Sequence, residues 1–188
     1  MELETALLIK VKADMNEIHM KRLFFALWPD DITRQQCVKI TKGINKEKAR
    51  PVNPANLHVT LLFLGNIAAD KEISFRLEAA TIPIPKTTLR FDQLNFWKKP
   101  GVLCLTATDS SPELMALVDN LSIVARKLDI PIDERPFKPH VTLVKKAKEL
   151  TTLEFEPVIW HSKSFCLVES CSLINGVEYR IIEQWVAK

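Results

Sequence analysis

Two copies of one triplet, His58-Val59-Thr60 and His140-Val141-Thr142, carry side chains suited to catalysis. Each lies in an apolar run typical of a β-strand. Because alternate residues of a strand point to the same face, each histidine shares a face with the threonine two positions later. The valine between them points the other way, into a core. Each triplet is therefore predicted to present an imidazole and a hydroxyl side by side.

Two imidazoles and two hydroxyls around one small volume suit the cleavage of a phosphate ester. In-line displacement at phosphorus needs a base for the attacking group and an acid for the departing oxygen, on opposite sides. Near neutral pH one histidine can be neutral while the other is protonated, because the ordinary histidine pKa is about 6.5. The hydroxyls of Thr60 and Thr142 can donate hydrogen bonds to the non-bridging oxygens. No metal ion is needed, so no cofactor is expected.

A structural role is the ordinary alternative for a histidine in a strand, since most such residues are simply hydrogen-bonded parts of the fold. Two observations favour catalysis here: the same triplet occurs twice, and each copy follows a proline-bearing loop. The other two histidines, His19 and His161, lack this context and are predicted to be structural or exposed.

The first half of the chain repeats in the second. A strand over Leu23 to Trp28 is followed by a helix capped by Asp30 or Asp31, a proline-bearing loop, and a strand over Leu57 to Leu64. Leu23 lies 35 residues before His58. The spacing implies a unit of strand, helix, loop and strand.

The second unit has the same order. A strand over Val102 to Thr106 precedes a helix in which Ser110 and Glu113 have the spacing of a capping box. Prolines end that helix, and a strand over His140 to Val144 follows, with His140 placed 38 residues after Val102. We infer an internal duplication that would bring the two triplets face to face.

The predicted fold class is therefore α+β: two pseudo-symmetric lobes, each an antiparallel sheet with helices on the outside, and an active-site cleft between them. The remaining predicted elements are a helix over Lys71 to Ala80 with Ile73, Leu77 and Ala80 inward, a strand over Thr88 to Leu94, and strands over Phe165 to Glu169 and Val177 to Trp185 joined by a turn at Asn175-Gly176. Residues 1–19 are predicted to be an appendage, and residues 20–188 the bilobal domain.

The composition of the chain limits the functional classes to which it can belong. The 188 residues carry a net charge of +3, which permits a nucleic-acid partner but falls short of the dense basic surface of a pure binding module. The four cysteines form no C-x-x-C pair, which argues against a zinc site. No apolar run is long enough to span a membrane and no signal peptide is evident, so a reduced, cytoplasmic protein without membrane contact is expected.

The chain resembles a known family at these residues. Residues 56–65 (NLHVTLLFLG) and 135–143 (RPFKPHVTL) are similar to the two signature blocks of the two-histidine (2H) phosphoesterase superfamily, and specifically to the RNA 2′,3′-cyclic phosphodiesterases, also called 2′-5′ RNA ligases. Residues 22–29 (RLFFALWP), residues 167–170 (LVES), Tyr179 and Trp185 match as well. The similarity extends from about Met20 to Trp185.

The resemblance implies metal-independent hydrolysis of a terminal 2′,3′-cyclic phosphate on RNA to a 2′-phosphomonoester, and a reversible 2′-5′ RNA ligase activity. It implies that His58 is the proton donor and His140 the acceptor, with Thr60 and Thr142 beside them. The pseudo-symmetry of the residues alone leaves that polarity open. RNA ends or a small nucleotide are the expected partners, and a monomer is the expected state.

Other candidate substrate-binding residues are less clear. Relatives commonly carry an arginine where this chain has Lys145, and lysine lacks the planar fork that grips phosphate with two hydrogen bonds. Ideal alternation would also put Lys145 on the face opposite His140, so a bend or the end of the strand is needed for it to reach the site and contact phosphate. Arg135 and Lys138 could contact RNA phosphates, or could be ordinary solvated residues. The aromatic residues that could stack on a base are Trp28, Phe63, Trp97 and Phe137, although core packing is the more common role.

Two other functions fit the same residues. One is the same hydrolysis on a small cyclic nucleotide, since loops rather than motifs set substrate size. The other is a catalytically silent module that binds nucleotides or RNA. The two intact triplets argue against a catalytically silent module, because binding alone does not need two proton-transfer groups.

Overall fold

The structure, a computed structural model, describes residues 20–44, 49–108, 111–174 and 176–187. The predicted appendage, residues 1–19, lies outside the described residues. The strands are β1 (Lys21–Leu27), β2 (Arg50–Pro51), β3 (Val59–Ile67), β4 (Thr87–Trp97), β5 (Val102–Ala107), β6 (His140–Lys145), β7 (Val158–Ser162), β8 (Ser164–Leu173) and β9 (Gly176–Val186). The helices are α1 (Asp31–Gly43), α2 (Ala69–Ala79) and α3 (Pro112–Lys127), with a short 3₁₀ helix at Pro54–Asn56.

The strands form two antiparallel sheets. The first sheet has the order β3-β1-β8-β9, and the second has the order β2-β6-β5-β4-β7. The predicted units are visible as equivalent antiparallel pairs, β1 with β3 and β5 with β6. These observations confirm the α+β prediction of two antiparallel sheets with few helices.

Two of the helices each pack against the sheet that does not contain the strand before them. Helix α1 follows β1 of the first sheet but packs against β6 and β7 of the second, whereas α3 follows β5 of the second sheet and packs against β3 of the first. The apolar faces of both sheets and the helices form one continuous buried cluster. Strands β3 and β6, which carry the triplets, contact each other where the sheets meet.

Local capping explains where two helices begin. The Asp30 carboxylate accepts a hydrogen bond from the backbone N–H of Thr33 at 2.7 Å, which confirms Asp30 as the cap of α1. The cap of α3 is Ser111, whose hydroxyl accepts from the Leu114 N–H at 3.1 Å. The prediction of Ser110 was therefore one residue early, since Pro112 occupies the first turn after Ser111.

Helix α2 presents a different face from the one predicted. Ile73 and Leu77 are 56% and 69% exposed, and Ala80 is exposed as well. The buried residues of the helix are instead Glu72, Phe75 and Ala79. The Phe75 ring lies 4.9 Å from that of Phe25, so the single aromatic residue of the helix, rather than its aliphatic residues, sets its rotation.

The C-terminal hairpin is confirmed, and its second strand begins one residue earlier than predicted. Leu173 pairs with Gly176 in the β8–β9 ladder, so Gly176, which was predicted to belong to the turn, is already part of a strand. Gly176 has a φ of 145°, a conformation that residues with a side chain rarely adopt. Both strands are longer than the sequence pattern indicated.

The cysteines are free, and three of the four are buried. Burial raises the pKa of the Cys37 and Cys104 thiols to about 12 and that of Cys166 to about 11, as expected of small core residues. Within the described ranges no group of three or more potential ligands could hold a metal ion. No helix among the described residues has both the length and the apolar character needed to cross a bilayer.

Candidate active site

The first triplet is held at the beginning of β3. Val59 and Leu61 are buried, whereas His58 and Thr60 are only partly buried and share the opposite face. Thr60 pairs with Ala26 of β1, which belongs to a small apolar cluster separate from the main core. The triplet therefore lies on the face of the first sheet that points away from the core.

The second triplet occupies the equivalent place in β6. Val141 and Leu143 are fully buried, and His140 pairs with Thr106 of the neighbouring strand. Both triplets thus have the alternation predicted from the sequence. Strands β3 and β6 contact each other, and the positive charge of His140 lowers the pKa of His58. We call the space between the two triplet-bearing faces the cleft.

Both strands contain a bulge directly after the threonine. In β3 the register shifts so that Leu61 has no partner between the pairs Ala26–Thr60 and Phe25–Leu62. In β6 Leu143 is the extra residue in the same way. A bulge reverses the alternation of the residues that follow it. Lys145, which ideal alternation would place opposite His140, is therefore on the cleft face.

Phe63 is the residue of β3 that corresponds to Lys145, five positions after its histidine in each case. It is 42% exposed, whereas the residues on both sides of it are buried. The two equivalent positions thus carry an aromatic ring on one wall of the cleft and a cation on the other.

Backbone carbonyls fix both imidazoles. His58 Nδ1 lies 2.7 Å from the carbonyl oxygen of Asn56, and His140 Nδ1 lies 2.8 Å from that of Lys138. A carbonyl oxygen only accepts, so each Nδ1 carries the proton and each Nε2 is the nitrogen available for chemistry. His58 Nε2 lies 2.9 Å from Thr60 Oγ1, which donates to it while the imidazole is neutral.

Asn56 connects His58 to the far edge of the first sheet. Its side-chain amide donates to the Val177 carbonyl at 2.7 Å and accepts from the Tyr179 N–H at 3.3 Å. Both partners belong to β9, more than 120 residues away in the sequence. The loop whose carbonyl orients His58 is therefore tied to a strand of the sheet.

Aromatic rings surround His58 on three sides. Trp28 stacks on the imidazole at 5.7 Å with an interplanar angle of 12°, Tyr179 meets it edge-on at 5.1 Å, and Phe24 lies at 5.0 Å. His140 has one such neighbour, Trp97, at 4.5 Å. Phe137 packs against the main core instead.

The surroundings of His58 disfavour its charged form. Burial lowers its pKa to about 4; the Asn56 carbonyl opposes this, and the charges of His140 and Lys145 add to it. Burial also lowers the pKa of His140, against the opposing effect of the Lys138 carbonyl. Without a bound anion, both imidazoles are thus neutral near pH 7.

The remaining predicted residues differ in their placement. Lys145 lies on the cleft face of β6, after the bulge at Leu143, and its charge lowers the pKa of His58. Lys138 contributes its backbone carbonyl to His140, while its side chain is exposed. Arg135 forms an exposed ion pair with Asp133, two residues before it. His161 lies on β7, where its Nδ1 is 2.9 Å from the Thr88 hydroxyl.

Sequence reasoning missed the role of Asn56, because its hydrogen bonds join residues that are distant in the chain. It also missed Phe24 and Arg50. Phe24 reads as a core residue in an apolar strand, and Arg50 becomes a cleft candidate only through its pairing with Lys145 in the β2–β6 ladder. Tyr179 was visible only as part of the family resemblance, whereas Trp28 was also a candidate for stacking on a base.

The sequence profile of the 2′-5′ RNA ligase superfamily matches residues 28–173. The chain belongs to this superfamily. Among its relatives is the RNA 2′,3′-cyclic phosphodiesterase of Escherichia coli K12, which is 32% identical over 168 residues, 88% of this chain and 96% of that protein. The enzyme of the same name from Archaeoglobus fulgidus is 29% identical over 65% of this chain and 70% of its own. The predictions of the family and of a cyclic phosphodiesterase, a hydrolase, are thereby confirmed.

Solved structures support the same assignment. E. coli LigT in complex with 3′-AMP superimposes with a TM-score of 0.82 at 31% identity, covering 89% of this chain and 98% of LigT. Apo LigT gives a TM-score of 0.81, also at 31% identity and with the same coverage of both chains. The phosphodiesterase domain of MHV ns2, 15% identical with a TM-score of 0.54 and covering 80% of this chain and 99% of that domain, shares the fold.

Proposed function

We propose that this chain hydrolyses the terminal 2′,3′-cyclic phosphate of RNA to a 2′-phosphomonoester, without a metal ion. The observation that carries the proposal is the pair of triplets, in each of which a carbonyl holds the histidine Nδ1, so that Nε2 is the nitrogen that can transfer a proton. The names of the bacterial and archaeal relatives support RNA as the substrate.

His140 is the proton acceptor and His58 the donor in this proposal. His140 Nε2 takes a proton from a water molecule as the water oxygen bonds to phosphorus. The bond from phosphorus to O3′ breaks, and O3′ receives the proton from His58 Nε2. The product carries a 2′-phosphate and a free 3′-hydroxyl. Geometry supports the acceptor role: in the described part of the chain His140 Nε2 has no hydrogen-bond partner, whereas His58 Nε2 contacts Thr60.

The substrate brings negative charge to His58. The cyclic phosphate is an anion, and its approach favours a protonated imidazole beside it, which raises the pKa of His58 from about 4. A group of low pKa also gives up its proton readily to the leaving oxygen. Lys145 adds a second positive charge on the opposite wall, and Thr60 and Thr142 donate to the non-bridging oxygens.

The same groups allow RNA joining. A 5′-hydroxyl that takes the place of water yields a 2′,5′ linkage, and in the cleavage of that linkage the two histidines exchange their roles. A small cyclic nucleotide is the second candidate substrate, favoured by the complex of the relative LigT with 3′-AMP. Arg135 and Lys138 are proposed to favour longer RNA only through the field of their charges, since Arg135 is already paired with Asp133.

The cytoplasm is the proposed location and a monomer the proposed state. The free, largely buried thiols support a reducing compartment. Residues 20–188 are proposed to form the bilobal catalytic domain, and residues 1–19 to be an extension outside it without a catalytic role.

Product analysis tests the proposed function. Short RNA ending in a 2′,3′-cyclic phosphate and the corresponding cyclic mononucleotide are each incubated with protein and EDTA, and the products are identified. We expect a 2′-phosphate from the RNA, and its loss by at least a thousandfold in His58→Ala and His140→Ala (an order-of-magnitude expectation for a group that transfers a proton). His161→Ala is the matched control and should keep full activity. Unchanged turnover in either cleft variant refutes the mechanism, and loss of activity with EDTA refutes its metal independence.

A further inference from the structure

Arg34 joins two loops that lie next to His58. It is located near the start of α1, and its guanidinium group has a carbonyl partner in each loop. Nη1 donates to the Pro54 carbonyl at 2.7 Å, and Nη2 donates to the Pro29 carbonyl at 3.2 Å. Hydrogen bonds from a charged donor are stronger than those from a neutral one. Two carbonyls in different directions suit the planar fork of an arginine, whereas a lysine offers a single nitrogen.

The first of these loops covers one face of the His58 ring. Trp28, the residue directly before Pro29, stacks on the imidazole at 5.7 Å with an interplanar angle of 12°. Pro29 is buried, and α1 begins two residues after it. The hydrogen bond from Arg34 therefore closes a short loop and fixes the backbone that carries the indole.

The second loop holds the edge of the same ring. Pro54 begins the 3₁₀ helix that ends at Asn56, and the Asn56 carbonyl accepts from His58 Nδ1 at 2.7 Å. The Leu57 N–H also donates to the Pro54 carbonyl, at 3.3 Å. Arg34 thus contacts this single helical turn two residues before the carbonyl that sets the tautomer of His58.

Helix α1 itself lies on the other wall of the cleft. It packs against β6 and β7 of the second sheet, and His140 is the first residue of β6. Its buried residues, among them Cys37 and Ile40, belong to the continuous core. Arg34 therefore reaches from a helix on the second sheet to the loops around His58, at the edge of the first sheet. A shift of α1 relative to those loops would change the separation of the two imidazoles.

We propose that Arg34 is a positioning residue, which fixes His58 relative to His140 by holding both loops on α1. Among the described residues its hydrogen bonds go to the two carbonyls and not to either imidazole, so it acts through Trp28 and Asn56. The proposal rests on the proposed function for the roles of the two histidines. Proton donor and acceptor must stay on opposite sides of phosphorus, and a displacement of about 1 Å reduces the rate on the order of 100-fold.

Kinetics on RNA with a 2′,3′-cyclic phosphate test the positioning role. Arg34→Ala removes both hydrogen bonds, so we expect kcat to fall roughly 10- to 100-fold while KM stays within about threefold of wild type. Arg34→Lys keeps the charge but can reach only one carbonyl, and its kcat should lie between those of the wild type and Arg34→Ala. A wild-type kcat in Arg34→Ala overturns the proposal.

Asp31→Asn is the matched control. The Asp31 carboxylate lies 3.9 Å from Arg34 Nε but is 94% exposed, so this ion pair is screened by water. Its removal leaves both carbonyl hydrogen bonds in place, and activity should equal that of the wild type. A loss of kcat in Asp31→Asn as large as that in Arg34→Ala would assign the effect to the ion pair and contradict the proposal.

A titration without substrate separates this proposal from the proposed function. Burial, the largest cause, lowers the pKa of His58 to about 4 in the free protein. Release of both loops in Arg34→Ala should admit water to the imidazole and raise its pKa toward 6.5, which NMR of the ring protons measures without turnover. The pKa of His140 should change less, because Lys138, which holds its Nδ1, is not in either loop.

The titration decides the proposal even where hydrolysis is absent. A His58 titration in Arg34→Ala identical to that of the wild type overturns the positioning role, even if kcat falls. Arg34→Lys, which keeps the charge and the side-chain stem, replaces Arg34→Ala if that variant does not fold. Unchanged kcat and an unchanged His58 titration in Arg34→Lys would then overturn the proposal.

Discussion

At the scale of single residues, each imidazole is set by what its Nδ1 touches. A carbonyl two residues earlier fixes the tautomer in both triplets, so the sequence spacing that places the histidine also places its partner. The two sites then differ in their neighbours. His58 is enclosed by three aromatic rings and His140 by one, which makes His58 the more strongly perturbed of the pair.

Lys145 is predicted to act on the pKa of His58. Its charge disfavours a second positive charge on the imidazole, so Lys145→Gln should raise the pKa of His58 from about 4, while burial keeps it below 6.5. NMR titration of the His58 ring protons measures this directly. Lys146→Gln, the adjacent exposed lysine, is the control and should leave the titration unchanged. An identical His58 titration in Lys145→Gln would show that the two side chains do not interact.

At the scale of elements, two β-bulges and the hydrogen bonds of Asn56 determine which side chains reach the cleft. The bulges at Leu61 and Leu143 turn Phe63 and Lys145 toward it. The hydrogen bonds of Asn56 hold the loop before β3 against β9. We regard Asn56 as a positioning residue, since its side chain contacts β9 and only its backbone contacts His58.

Removal of the Asn56 side chain should reduce kcat more than it weakens the binding of substrate. In Asn56→Ala the carbonyl is still present but its loop is no longer fixed, and a small displacement of a catalytic group costs roughly 10- to 100-fold in kcat. We expect that loss with KM within about threefold of wild type. Asn53→Ala is the matched control, because Asn53 caps the same 3₁₀ helix and its side chain forms no hydrogen bond with the described part of β9. A kcat for Asn56→Ala equal to that of Asn53→Ala would contradict the assignment.

At the scale of the whole molecule, the two sheets form one folding unit, because α1 and α3 each pack against the sheet that does not contain the strand before them. Each sheet contains strands from both halves of the chain, and the core is continuous between them. Two lobes in the sense of separately stable bodies are therefore not expected, although the catalytic groups come from two sheets.

Unfolding should be a single transition. Leu117→Ala in α3, below the first sheet, and Ile40→Ala in α1, below the second, each remove a buried side chain and should cost about 2–5 kcal/mol. Denaturant unfolding followed by tryptophan fluorescence and by circular dichroism should give coincident curves that shift together in both variants. Separate transitions, with each variant moving only one, would show that the sheets unfold independently.

Much of this arrangement could be predicted from the sequence. The repeated triplet and the matching spacing predicted two equivalent strands, and alternation within each triplet was enough to place His58 with Thr60. The bulges could not be predicted, because a register shift depends on how two strands pair rather than on either strand alone. For the same reason alternation alone placed Lys145 opposite His140, and the bend that brings it to the cleft face was only a condition of its candidacy. The face of α2 was misjudged because Ile73 and Leu77 have the right spacing for a core stripe, yet Phe75 fills the core.

The central claim is that one neutral and one protonated histidine share the work of cleavage, and the pH dependence of kcat/KM on RNA with a 2′,3′-cyclic phosphate tests it most directly. Below the lower apparent pKa both imidazoles are protonated and the base is lost; above the upper one both are neutral and the acid is lost. Because the pKa values of both histidines lie below 6.5 in the free protein, the maximum of kcat/KM should lie below pH 6.5. The profile for kcat should be displaced to higher pH by the bound anion. A maximum below pH 6.5 with a fall in kcat/KM above it supports the account, and a kcat/KM profile that is flat between pH 4 and 8, or whose maximum lies above pH 6.5, would contradict it.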